Sequence, residues 1–123
     1  DTRVRVAIMT ALVSLLSHQA TKAQPEVKAV HDCATLLITA VDSDPSMTVK
    51  EAAVFAMRYL YPQKFKAEHK DCVEALLDLL RKPTIPESLK QKILQTMEAI
   101  TGQSFPITDI KRWDDWAKKA FGK

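Results

Sequence analysis

Apolar residues return every three or four positions through six segments of this chain, and prolines and polar clusters separate the segments. That period is the helical one, so the pattern predicts six helices. The first spans about Thr2 to Ser17, with Val4, Ile8, Ala11, Leu12 and Leu15 on one face. The second opens near Pro25, which suits a first helical position, and carries Val30, Ala34, Leu37, Ile38 and Val41. Asp44 reads as the N-cap of the third helix, ahead of Pro45, because a carboxylate there can accept the unbonded amides of the next turn. The stripe of that helix is Val49, Ala53, Ala56, Met57 and Leu60, and it stops before Pro62. The fourth, about Ala67 to Arg81, turns Val73, Leu76, Leu77 and Leu80 inward. The fifth opens at Pro86 and carries Leu89, Ile93, Met97 and Ile100, with Gly102 where a left-handed cap is most often needed. In the sixth, about Asp109 to Phe121, the residues Ile110, Trp113, Trp116, Ala117 and Ala120 make one bulky face. Leu36 to Val41 could locally be a strand, but the helical stripe extends beyond it on both sides.

The segments repeat at long range. Sliding the second helix by 39 residues pairs Cys33 with Cys72, Ala34 with Val73, Leu37 with Leu76, Ile38 with Leu77 and Val41 with Leu80. The odd-numbered helices superpose too: Val4, Ile8, Leu12 and Leu15 fall on Val49, Ala53, Met57 and Leu60, then on Leu89, Ile93, Met97 and Ile100. Two alternating helix types at a spacing of about 40 residues are the signature of stacked helical hairpins.

Asp1-Thr2-Arg3-Val4-Arg5, and Asp44-Pro45 followed by Val49-Lys50-Glu51-Ala52-Ala53, look like the Asp-Pro-x-Val-Arg-x-x-Ala opening of the second helices of HEAT repeats. The chain therefore resembles the HEAT-repeat family over roughly its first hundred residues. The copy at Pro86-Glu87-Ser88-Leu89-Lys90 lacks the Asp-Pro pair and the following alanines, and the middle copy has two extra residues before Val49. The turn Ile100-Thr101-Gly102-Gln103-Ser104-Phe105 and the Trp113-x-x-Trp116 pair resemble the closing segment of some bacterial members, where a Trp-rich helix ends the array. The resemblance implies an all-α chain, an α-α superhelix of about five to six repeat helices with a C-terminal capping helix. Its parts would be residues 1–17 as the second helix of a partial repeat, 25–61 and 66–101 as repeats, and 108–122 as the cap.

Length and composition agree with that reading. At 123 residues the chain suits one domain, and its two glycines disfavour a fold rich in tight hairpins. The net charge of +3 is spread without a long run of one sign, a weak footing for nucleic acid or an anionic surface. No apolar stretch reads as long enough to span a bilayer, so no membrane span is expected. The start at Asp1, inside a helix, is the pattern of a processed chain or a piece of a longer one. The cytoplasm is the expected compartment, with the periplasm or the cell exterior the alternative for a processed chain.

The basic residues Arg5, Lys50 and Lys90 hold equivalent places in successive repeats and should form a column. The resemblance implies pairing with a neighbouring repeat's turn acid, for which Asp1, Asp44 and Glu87 are available; the alternative is a binding face made of Arg5, Lys50, Arg58 and Lys90 for an acidic partner. Val54, Phe55, Tyr59 and Tyr61 add apolar surface to the third helix beyond its stripe, through burial or as a partner patch. Lys111, Arg112, Lys118, Lys119 and Lys123 read as a solvated outer face.

Catalytic and metal-binding patterns are thin. His31 and Cys33 diverge on a helix, His69 and Cys72 are one turn apart, and no paired Cys-x-x-Cys exists, so no metal site is expected. Cys33 and Cys72 read as small buried apolar residues, too far apart for a bridge if they lie on adjacent helices. No glycine-rich phosphate loop or serine elbow occurs, and no cofactor is expected. The expected function is protein or peptide binding, or scaffolding, without catalysis. Two alternatives remain: a nucleic-acid-binding HEAT-like domain using a basic face, and a lyase-like HEAT protein that attaches bilin pigments through an exposed reactive cysteine.

Overall fold

Every regular element in the computed structural model, which describes residues 1–60, 63–106 and 109–122, is a helix. Tyr61, Pro62, position 108 and Lys123, all used in the sequence reading, lie outside the described residues.

Helix α1, Thr2–Thr21, opens on Asp1, whose carboxylate accepts the Arg3 amide at 2.9 Å. It continues past Ser17 because nothing in His18-Gln19-Ala20 breaks a helix, and buried Gln19 accepts the Glu26 amide through its side-chain oxygen at 2.8 Å. Helix α2, Val27–Ser43, starts two residues beyond Pro25 and carries the Leu36 to Val41 segment as helix. Helix α3, Met47–Met57, begins on Ser46, whose hydroxyl accepts the Val49 amide at 3.3 Å. Asp44 is therefore not the cap of α3. It ends α2 in an extended conformation, and the extra residues after it shift the helix start to Ser46.

A 3₁₀ turn, Arg58–Leu60, follows α3, and a second 3₁₀ segment, Gln63–Glu68, kinked at Phe65, leads into α4, His69–Leu80. Helix α5, Glu87–Thr101, follows Pro86 and closes on Gly102 at φ 73°, the left-handed cap expected there. Helix α6, Ile110–Phe121, opens on Asp109, which accepts the Arg112 amide at 3.2 Å.

Odd-numbered helices pack on each other in order, α1 on α3 and α3 on α5, and the even ones likewise, α2 on α4 and α4 on α6. Contacts of α1 with α2, α2 with α3 and α4 with α5 tie the two series together. One apolar core runs through all six, from Met9 to Trp113. Within it the repeat-equivalent residues share the same fate: Leu37 and Leu76 are fully buried, as are Val49 and Leu89, Ala53 and Ile93, and Met57 and Met97. Trp113 of α6 is completely buried, with Phe105 edge-on at 4.9 Å and Trp116 at 6.1 Å. Ala120, placed on the same face by spacing, is exposed.

The inward stripe of α1 is not the one the spacing suggests. Met9, Leu12, Leu16 and Gln19 are buried, whereas Val4, Ile8 and Leu15 are 56%, 45% and 38% exposed and Ala11 is exposed too. The helix is apolar on nearly every side, so two stripes compete, and the neighbours α2 and α3 select the one that includes Leu16. The buried set superposes on α3 and the 3₁₀ turn after it at an offset of 44, Met9 on Ala53 and Leu16 on Leu60, rather than 45. Its 20 residues also give α1 the length and mean hydropathy, 1.2, to cross a bilayer, unlike the expectation from sequence; core helices of soluble domains meet the same criterion.

Truncating neighbours in α1 distinguishes the two stripes. Leu16→Ala should cost about 2–5 kcal/mol by leaving a cavity, and Leu15→Ala less than about 1 kcal/mol, measured by urea unfolding.

Candidate interaction surface

The basic column divides into two kinds of internal contact. Arg5 donates from Nε to the Asp44 carboxylate at 2.7 Å, reaching the turn acid that follows α2. The same carboxylate accepts the Ser46 amide at 2.9 Å. That amide first, and the Arg5 guanidinium second, hold Asp44 below the usual carboxylate range. Lys50 is buried, and its ammonium donates at 2.5 Å to the carbonyl of Val41, in the last turn of α2. A cation at a helix C-terminus satisfies an otherwise unbonded carbonyl and faces the negative end of the dipole. No acid lies between Lys82 and Pro86 to repeat the Arg5 pairing, so a cap replaces it. Burial, then the nearby charge of Lys82, pulls Lys50 below the ordinary lysine range. Lys90 is half-buried and makes no ion pair among the described residues.

Other cations are also committed inside the molecule. Lys64 caps the end of α1 through the carbonyls of Ala20 and Lys22, both at 2.7 Å. Lys92 bonds Glu51 at 3.0 Å, and Arg81 joins Asp78 to Asp114 of α6. His31 meets Glu68 at 3.1 Å, and His69 bonds the Leu60 carbonyl. Lys111 pairs with Asp115 and Arg112 lies over the Phe105 ring, while Lys118 and Lys119 are exposed.

Arg58 is differently placed. Its Nε donates to the Thr96 hydroxyl at 3.1 Å and a terminal nitrogen to Gln95 Oε1 at 2.9 Å, while the guanidinium sits 5.2 Å from the Phe55 ring centre. Thr96 in turn donates to the Val54 carbonyl at 3.0 Å, which anchors the network in the core between α3 and α5. Phe55 is 46% exposed and meets half-buried Tyr59 edge-on at 5.8 Å. Of the extra apolar residues that the sequence assigns to the third helix, Val54 of α3 is buried, whereas Phe55 of α3 and Tyr59 of the 3₁₀ turn after it reach the surface. The Thr96 and Gln95 contacts are not visible in the sequence, because they join residues 37 and 38 positions apart that carry no motif.

The histidines and cysteines do not converge. Among the described residues no cluster of three or more His, Cys, Asp or Glu could hold a metal. Both cysteines are free and buried. Burial pushes the Cys33 thiol up, with the Asp32 charge adding to it, and pushes Cys72 up to about 12, with Glu68 and Asp71 adding to that. Between α2 and α4 a groove is lined by Asp42, Asp71, Glu74 and Asp78, a surface that repels phosphate. Comparison of the chain with protein-family models, curated proteins and solved structures gave no match.

Two measurements follow from these environments. A carboxyl lowered on folding adds stability above its unfolded value, about 3.9, and that stability is lost as the pH falls through the folded value. Asp44→Asn should thus lower stability at neutral pH, and the gap to wild type should close on acidification, read from urea midpoints against pH. Because the thiolate is the reacting species, Cys33 and Cys72 in folded protein should react with an aromatic disulfide reagent at least about 100-fold more slowly than in urea.

Proposed function

We propose that the chain is a HEAT-like helical-repeat module that binds a protein or peptide segment, without chemistry of its own, through an anchor made of Phe55, Arg58 and Tyr59. The order of packing, odd on odd and even on even, together with matched burial at equivalent positions, supports the stacked-hairpin reading. On that reading α6 is the terminal cap, its Trp113 closing the apolar end that α4 would otherwise leave open.

The observation that carries the binding role is the half-exposed Phe55 ring beside a guanidinium already fixed by Thr96 and Gln95. Aromatic and Arg side chains dominate binding hot spots, and side chains fixed beforehand lose little entropy when a partner docks. Arg58 keeps donor capacity beyond these two bonds, so a matching segment would offer an apolar side chain with a carboxylate next to it. The nucleic-acid reading has less support, since Arg5, Lys50, Lys64, Arg81 and Lys92 are spent on internal contacts. The cysteine-lyase reading meets two buried thiols with raised pKa.

Selection of a random peptide library on the immobilised chain should enrich sequences combining an aromatic or aliphatic residue with an acid. Phe55→Ala should weaken those peptides by 10-fold or more, on the order of 1.4 kcal/mol, and Arg58→Glu should abolish their binding with helical circular dichroism unchanged. Selected peptides that bind both variants as well as wild type would refute the assignment.

A further inference from the structure

Beside the last helix the fold leaves a groove of about 420 Å³ that the surrounding side chains do not fill. It lies where the start of α4, the end of α5 and the second half of α6 come together. Its apolar side is built by half-buried Trp116 and Phe121, which stand edge to face at 5.6 Å, and by buried Ile100 of α5. Ala120 also lines it. Helical spacing puts that residue on the bulky face of α6, yet it is exposed, because a methyl group there is too short to reach across the gap. Buried His69 completes the lining and donates from Nε2 to the Leu60 carbonyl, which fixes the ring in place. A concavity of roughly 300–1,000 Å³ with aromatic walls and a few convergent polar groups is the usual form of a small-molecule site.

The charge at the rim selects the ligand. Lys66 and Lys70 both line the groove, and neither makes an ion pair among the described residues. No acid is among the described residues that line it. The acids nearest in sequence are engaged elsewhere: Glu68 bonds His31, and Asp71 lines the groove between α2 and α4. Like charges four residues apart repel, and an anion between them relieves the repulsion. Arg5, Lys64, Arg81 and Lys92, by contrast, already have partners inside the molecule. We propose that this groove binds a small amphipathic carboxylate, its aromatic or aliphatic body against Trp116, Phe121 and Ile100 and its carboxylate between Lys66 and Lys70. Both parts of the ligand are needed. Two solvated ammonium groups hold a bare anion weakly in water, and the apolar wall supplies the remaining affinity. Phe55, Arg58 and Tyr59 take no part in the lining, so the site is independent of the peptide anchor.

Titration of the protein with hydrocinnamate, followed by amide and indole NMR, should give saturable shifts at Lys66 to Lys70, Thr101 and the Trp116 indole, with a dissociation constant below about 1 mM. The neutral analogue hydrocinnamamide should bind at least about 10-fold more weakly, since it offers the lysines no charge. Inorganic phosphate, a head without a body, should give no saturable shift at Trp116. Lys66→Gln combined with Lys70→Gln should weaken hydrocinnamate by about 10-fold or more. Ala120→Leu should do the same by occupying the groove, with helical circular dichroism unchanged in both variants. The proposal is overturned if hydrocinnamate gives no saturable shift, or if the amide binds as tightly as the acid. It is equally overturned if either variant binds like wild type, or if the shifts centre on Phe55 and Arg58, which would assign the carboxylate to the peptide anchor.

Discussion

Burial of an apolar stripe by helices that are not adjacent in sequence is the constraint on which this structure rests. No helix here can cover its stripe with its own residues, and the hairpin partner covers only part of it. The remainder is supplied by the helix two positions away: α3 lies against α1 and α5, and α4 against α2 and α6. Leu37, Leu76, Met57 and Met97 are completely buried because each belongs to a helix with neighbours on several sides. Where that supply ends, at the outer side of α1, large apolar side chains stay in solvent.

Polar contacts then fix the details that a greasy stripe leaves open. Helices slide on one another at little cost when only aliphatic side chains meet, whereas a bond between a side chain and a backbone carbonyl has one register. Lys50 to Val41, Lys64 to Ala20 and Lys22, and Thr96 to Val54 are bonds of that kind, and each joins different elements. All of the carbonyls of the first two pairs lie at or beyond the last turn of a helix, where they would otherwise lack a donor. Side chains that look like surface charge in a composition count are thus parts of the joints.

The helices and most of the interior were legible in the sequence because strong periodicity and a matched repeat reinforced each other. Leu37 with Leu76, and Val49 with Leu89, are positions where stripe and repeat give the same answer, and Gly102 is a cap with few substitutes. Helix α1 was misread because periodicity ranks faces by contrast, and a helix with Met9 and Leu16 on one side and Ile8 and Leu15 on the other offers almost none. Asp44 was misread for a different reason: an acid before a proline can begin one helix or end another, and its tie to Arg5 is set by tertiary packing. The candidate surface was half legible. Phe55 and Tyr59 could be picked out as surplus aromatic area, but the bonds that immobilise Arg58 depend on how α5 lies against α3.

Trp113 is sealed from solvent, its indole nitrogen has no hydrogen-bond partner among the described residues, and Trp116 leans on it from the next turn. Both indoles of the chain therefore belong to α6. The intrinsic fluorescence of the protein is in effect a local optical probe of its last helix. Peeling of α6 from α4 would change the emission while the rest stayed folded, and loosening of α1 would leave the emission nearly silent.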